Sequence, residues 1–117
     1  MATHFGERVK VVNNNNSDIE NVQVVLNAEE NQLVDIGIIG SLNESPTYGL
    51  LISTGSADYW TVSYQKQGST LWIADEKVSI KKSDAGQIIK IIIEDKKVEI
   101  IAPKSGEKGS YTAKTPS

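Results

Sequence analysis

The chain has 117 residues, no cysteine and a formal net charge of -3. This length fits one domain that can bury a core without metal or disulfides, and the lack of cysteine excludes a disulfide framework, a thiolate metal site and a cysteine nucleophile. The acidic balance argues against a nucleic-acid partner, since such proteins need a basic surface to neutralise phosphates.

Short apolar runs separated by turn residues recur along the chain, and no stretch shows the 3.6-residue period of a helix. Short strands spaced roughly 8–12 residues apart are typical of a sandwich or barrel, and short connections favour antiparallel pairing. We therefore predict an all-β fold, a single-domain antiparallel β-sandwich of jelly-roll or immunoglobulin-like type with little or no helix. The nine or so predicted strands cover residues 8–12, 21–26, 33–39 (with Gly37 as a bulge), 48–53, 58–65, 70–74, 77–81, 88–93 and 98–101.

The composition changes after residue 102, where the sequence becomes PKSGEKGSYTAKTPS. Such a polar segment, rich in glycine, serine, threonine and lysine, is typical of a mobile end. We predict that residues 1–102 form the β-sandwich domain and that residues 103–117 form a flexible polar tail. The alternative is a terminal arm that orders on a neighbouring molecule.

The most apolar segment is QIIKIIIEDKKVEIIA at residues 87–102, two β-branched runs joined by a charged turn, which predicts a β-hairpin. Alternation places Ile88, Ile92 and Ile101 on the face opposite the core-facing isoleucines. A sandwich strand normally carries polar residues on its outer face. We therefore expect these three isoleucines to contact a covering loop or another subunit, and we predict a homo-oligomer.

The aromatic residues concentrate in one predicted hairpin. Trp60, Val62 and Tyr64 share a face and are predicted to be core. Tyr59 points to the face of its strand opposite that of Trp60, and Trp72 points to the face opposite that of its apolar neighbours Leu71 and Ile73. Tyr59 and Trp72 are therefore candidates for a ligand or assembly surface, with core packing as the alternative.

The Asn-rich loop at residues 13–18 has the side chains of a turn, of an oxygen-rich calcium loop or of a sugar-binding loop. It lacks the spacing of an EF-hand, so a turn is favoured and no metal site is predicted. In a lectin-like protein these amides would bond sugar hydroxyls while an aromatic ring stacks on the sugar. The candidate loop contacts are Asn13, Asn14, Asn15, Asn16 and Asn43.

Catalysis requires a positioned base or a carboxylate pair, and the chain offers neither in a recognisable pattern. The only histidine is His4, in a predicted frayed terminus, and the adjacent acidic pairs fall in predicted turns. We expect no enzyme and no cofactor.

Charge is divided between the two halves of the chain. Residues 1–60 hold two basic and eight acidic side chains, whereas residues 61–117 hold ten lysines and seven acids. Chance explains this division adequately; the alternative is that opposite patches on one molecule steer head-to-tail association.

In length, acidity and its opening strand RVKVVN at residues 8–13, the chain resembles small acidic β-sandwiches such as fungal lectins, aegerolysin-like lipid binders and bacterial surface modules. The resemblance assigns no functional residue. The leading hypothesis is a non-enzymatic recognition or assembly module that self-associates as a structural or adhesive protein. The alternatives are a lectin-like carbohydrate binder and, second, a pore-forming or lipid-binding β-protein. The chain as given shows no signal-peptide core and no transmembrane run, and its localisation is left unassigned.

Overall fold

The computed structural model describes residues 4–27, 32–53, 59–66, 71–77, 88–101 and 108–113. These residues form strands, turns and loops without a helix, so the all-β prediction is confirmed. In chain order the strands are β1 (His4–Asn13), β2 (Ile19–Asn27), β3 (Gln32–Ile39), β4 (Tyr48–Ser53), β5 (Tyr59–Lys66), β6 (Leu71–Lys77), β7 (Ile88–Glu94), β8 (Lys97–Ile101) and β9 (Lys108–Thr112).

The strands form two sheets, one in the order β4-β1-β7-β8-β9 and the other in the order β3-β2-β5-β6. Every neighbouring pair is antiparallel except β1 and β7, which run parallel with Arg8 opposite Ile88. The prediction of antiparallel pairing throughout is wrong for this pair. Short connections constrain only strands that follow one another, whereas the chain between β1 and β7 passes through the second sheet.

Side chains alternate between the two surfaces of each sheet, and the inward positions of both sheets contribute to one hydrophobic core. The alternation predicted for the terminal hairpin is confirmed, because its inward isoleucines and valine are fully buried. The fully buried core includes Val9, Val11, Val24, Leu26, Trp60, Val62, Tyr64, Ile89, Ile91, Ile93, Val98 and Ile100.

The pairing of β2 with β3 shifts register twice, between Ile19 and Val22 and between Val22 and Gln23. Gly37 lies opposite Val22 with a φ of +86°, a conformation that glycine adopts without steric cost. The predicted bulge at Gly37 is therefore confirmed. The bulge in β3 compensates for the register shift in β2. Ile39, which follows the bulge, therefore points into the core and is buried.

Both predicted loose ends contain paired strand residues. His4, expected in a frayed terminus, begins β1 and pairs with Ser53 of β4. Within the predicted tail, Lys108–Thr112 forms β9 along β8, and the Ala113 amide donates to the Lys96 carbonyl at 2.6 Å. A polar segment can satisfy an open strand edge because the pairing uses only backbone groups.

Other parts of these predictions lie outside the described residues. Residues 103–107 and 114–117 of the predicted tail are among them. Of the strand predicted at 77–81, only Lys77 is described, as the last residue of β6.

Candidate functional site

One end of the molecule gathers residues 13–18, residues 40–45 and the hairpin turn at 94–96, which together we name the loop cluster. Asn13 lies at its centre with no exposed surface. Its Nδ2 shares two hydrogens among the carbonyl oxygens of Ser17, Ile39 and Gly40, at 2.9, 3.0 and 3.1 Å. The backbone amide of Asn13 donates to the Asn43 carbonyl at 2.8 Å. Asn13 thus joins the first two loops.

The hairpin turn is attached through the next two asparagines. The Asn13 Oδ1 accepts from the backbone amide and the Nδ2 of Asn15, at 3.0 and 2.8 Å. The Asn15 Oδ1 accepts from the Asp95 amide at 2.6 Å, and the Asn14 Nδ2 donates to the Glu94 Oε2 at 3.1 Å. Three asparagine side chains therefore form a continuous link between all three loops.

The structure brings the predicted loop contacts together but uses them unequally. The side-chain amides of Asn13, Asn14 and Asn15 are all engaged in the internal bonds described above. The side chains of Asn16 and Asn43 are exposed. Of the predicted loop contacts, Asn16 and Asn43 are therefore the exposed residues whose side chains take no part in the internal bonds described above.

Leu42 is an exposed apolar residue of the loop cluster. Its φ is +57°, which is uncommon for a side chain of this size, and 63% of its surface is accessible. The Asn43 amide donates to the Gly40 carbonyl at 3.0 Å across this turn. Leu42 therefore projects from a tight turn at a position where glycine or asparagine is usual.

The hairpin turn is also held by β5 of the other sheet. The Tyr64 hydroxyl donates to the Asp95 carbonyl at 2.7 Å, and the Lys66 ammonium lies 2.5 Å from the Asp95 carboxylate. Burial, aided by the nearby Asp95 charge, raises the pKa of Tyr64 to about 12. The hydrogen bond from Lys66 and its charge lower the pKa of Asp95. Both groups therefore keep their usual ionisation at neutral pH.

Trp72 lies on the inward side of β6, paired with Tyr64 of β5. It is half-buried and packs against the core, and the Lys96 ammonium is 5.2 Å from the centroid of its ring. Such a cation–π contact contributes roughly 0.5–1 kcal/mol at an exposed site. A sugar that stacked on Trp72 would compete with Lys96. Tyr59 begins β5, and its side chain lies outside the described part of the structure.

The second predicted surface is the outer side of the five-stranded sheet, which we name the front face. Ile88, Ile92 and Ile101 lie on it and are half-buried, neither covered by the rest of the described chain nor fully open. The half-buried Val12 pairs with Ile92 in the centre of the sheet. The front face is defined by Arg8, Lys10, Val12, Ile88, Lys90, Ile92, Lys97, Glu99 and Ile101.

The outer side of the four-stranded sheet, which we name the back face, was not predicted as a surface. On edge strand β3, Leu33 and Ile38 expose 61% and 69% of their surface. The half-buried Val25 lies opposite Leu33 on the adjoining β2, whereas the half-buried Leu71 and Ile73 lie on β6 at the opposite edge of the sheet. Leu33 alternates with buried Val34, which is the signal that could have revealed this surface from the sequence. The back face is defined by Glu20, Val25, Leu33, Asp35, Ile38, Leu71, Ile73 and Asp75.

Comparison with models of protein families and with curated protein sequences finds no match to this chain. No helix among the described residues is long and apolar enough to cross a membrane. In the same residues, no group of three or more histidine or acidic side chains is arranged to hold a metal ion.

Proposed function

We propose that the protein is a non-enzymatic recognition or assembly module that works as a homo-oligomer, in a structural or adhesive role. The observation that carries the proposal is the set of half-buried aliphatic side chains on the front face, Val12, Ile88, Ile92 and Ile101. The proposed architecture is a single-domain β-sandwich of jelly-roll or immunoglobulin-like type. Two sheets that share one core support this architecture.

Val12 and Ile92 are paired neighbours on this face. Ile88 lies four residues from Ile92 along β7, and Ile101 lies on β8 opposite Lys90. Completely burying an exposed isoleucine contributes about 2 kcal/mol, so a half-buried one contributes only part of that. Association must overcome roughly 4 kcal/mol or more of lost rotational and translational freedom. The front face therefore favours association but needs a second surface to make it stable.

Native mass spectrometry and sedimentation velocity at low micromolar concentration test the proposal. The wild type should form species larger than a monomer, and Ile92→Lys should shift them to monomer because it places a charge among the apolar side chains. Leu42→Lys is the matched control, since it makes the same kind of change at an exposed apolar residue outside both faces. A wild-type protein that stays monomeric would refute self-association.

A second candidate function is lectin-like carbohydrate binding at the loop cluster. The observation that favours it is that the loop cluster holds the exposed Asn16 and Asn43 amides and also Lys96, whose ammonium lies 5.2 Å from the centroid of the Trp72 ring. Amides that bond hydroxyls beside an aromatic ring suit a sugar. The aliphatic front face plays no part in such binding, so this function and self-association are compatible.

A glycan array tests this second candidate. Asn16→Ala combined with Asn43→Ala should abolish any signal, while thermal unfolding stays near the wild-type value because both side chains are exposed. Trp72→Ala should also abolish the signal, but it removes core contacts and therefore needs the double variant beside it. An array without signal for the wild type would eliminate carbohydrate binding.

A further inference from the structure

We infer that the copies associate head to tail, with the front face of one molecule stacked on the back face of the next. This inference rests on the proposed self-association and specifies which surfaces meet. It predicts an open series of molecules rather than a symmetric pair, because a contact between two different surfaces leaves one of each unfilled.

The charged residues of the front face are mostly basic. The acid among its defining residues, Glu99 of β8, lies opposite Ile92 and forms a salt bridge with Lys97 at 2.9 Å. The parallel register places Lys10 directly opposite Lys90, with Arg8 two positions away on β1. Lys10 forms a salt bridge with Glu44 at 3.1 Å, while Lys90 is exposed. Like charges on paired strands are unfavourable within one molecule, and an acidic partner surface would relieve the repulsion.

The charged side chains that the structure describes on the back face are acidic. Glu20, Asp35 and Asp75 lie on three of its four strands, and the Asp75 carboxylate accepts a hydrogen bond from the Thr61 hydroxyl at 2.7 Å. None of the lysine or arginine side chains that the structure describes lies on this face. Among the sheet residues whose side chains the structure describes, the two most exposed aliphatic ones, Leu33 and Ile38, lie here as well.

Charge complementarity distinguishes the three ways in which two copies can meet. Front against front brings together two faces on which Arg8, Lys10, Lys90 and Lys97 outnumber Glu99, and back against back brings together the acids Glu20, Asp35 and Asp75 of two copies. Front against back sets basic residues against acidic ones while aliphatic side chains meet in both cases. Juxtaposed like charges cost several kcal/mol at an interface, so the heterologous contact is favoured.

The size of the molecule and the protection of the β3 edge both favour contact between faces over contact between strand edges. The molecule extends 45 × 29 × 22 Å, so a broad face can supply the roughly 800 Å² per partner of a standard interface. Pairing through the open edge of β3 is opposed by the exposed Asp35 and by the bulge at Gly37, two features that protect sheet edges.

Two charge reversals, Lys90→Glu on the front face and Asp35→Lys on the back face, test the stack. Each variant alone should have a dissociation constant at least about tenfold higher than that of the wild type, which corresponds to about 1.4 kcal/mol in the free energy of association. An equimolar mixture should recover association, because the unchanged front of one variant meets the unchanged back of the other. Native mass spectrometry resolves such mixed species by mass. Lys96→Glu in the loop cluster is the control for net charge and should associate as wild type does.

The outcomes separate the two proposals. If the wild type is monomeric, self-association itself is refuted. If the wild type associates but one of the two variants still associates to the wild-type extent, or the mixture recovers nothing, the contact is not front to back and the stack is refuted. Circular dichroism of each variant confirms that the strands are retained.

Discussion

The Tyr64 hydroxyl donates a 2.7 Å hydrogen bond to the backbone carbonyl of Asp95, which fastens a central strand of one sheet to a hairpin turn of the other. Tyr64 has no exposed surface, and its ring forms part of the shared core. The turn it holds contains Asp95 at a φ of +52°, a conformation that aspartate tolerates better than most residues. Because one side chain both packs in the core and holds the turn, the conformation of the loop cluster depends on how the two sheets pack.

This contact predicts a loss of stability in alkali. The pKa of Tyr64, raised to about 12 by burial and by Asp95, exceeds its value near 10 in an unfolded chain. The stabilisation is therefore fully present below about pH 10 and is lost as the pH rises through 12. Urea unfolding between pH 8 and 12 should show this decline in wild type, and Tyr64→Phe should remove the part due to this residue. Equal slopes for the two proteins would contradict the assignment.

The ion pair between Lys66 and Asp95 predicts the opposite dependence at low pH. Because Lys66 lowers the pKa of Asp95, its contribution is present above the unfolded value near 3.9 and is lost as the pH falls through the lower folded value. Lys66→Met should raise the pKa of Asp95 toward its ordinary value. Carbon-13 NMR titration of the carboxylates measures the change, with Asp35, which lies on β3, as the internal control. An unchanged Asp95 titration would show that the pair does not persist in solution.

Replacing the hub of the loop cluster should be costly. Asn13→Ala removes the donor that serves the buried Ile39 carbonyl and the partly buried Ser17 and Gly40 carbonyls, and leaving a buried acceptor unsatisfied costs about 1–3 kcal/mol. We expect a decrease of about 3 kcal/mol in the free energy of unfolding, measured by urea denaturation. Asn16→Ala, at an exposed position of the same loop, should change it by less than about 0.5 kcal/mol. Equal effects of the two substitutions would contradict the structural role of Asn13.

Alanine substitutions at two glycines distinguish the effect of backbone conformation on stability from the effect of steric space around the new Cβ atom. A Cβ atom at either Gly37 or Gly49 would meet no atom within 4 Å, but only Gly37 has a positive φ. Gly37→Ala should destabilise by about 1 kcal/mol because a left-handed conformation is unfavourable for alanine. Gly49→Ala should be neutral or stabilising by up to about 1 kcal/mol, since it restricts only the unfolded chain. Thermal unfolding of the two variants gives the comparison, and a stabilised Gly37→Ala would contradict the bulge.

Local patterns in the sequence sufficed for much of the fold. The alternation of the terminal hairpin, the core face of β5 and the bulge at Gly37 depend on neighbours along the chain, and all three are confirmed. The parallel pairing of β1 with β7 depends on which distant edges meet, whereas β9 is a polar segment that pairs with the preceding strand β8. Neither leaves a periodic signal in the sequence.

The candidate surfaces were less accessible to prediction for the same reason. The run of asparagines was recognisable as a loop, but which amides would be used internally depends on where the loop at 40–45 and the turn at 94–96 lie. Ile88 and Ile92 could be placed on an outer face by parity alone. The basic character of that face required knowing that Lys10 of β1 lies beside Lys90 of β7.

The seam between β1 and β7 bears on the order in which the molecule is built. During synthesis Val9 leaves the ribosome long before Ile89. β1 can therefore pair with β4 early, while its other edge stays unpaired until β7 has been synthesised. Contacts between such remote segments slow folding, and an unpaired aliphatic edge is exposed to wrong partners meanwhile. Newly made chains are therefore most vulnerable to aggregation just before the isoleucine hairpin emerges.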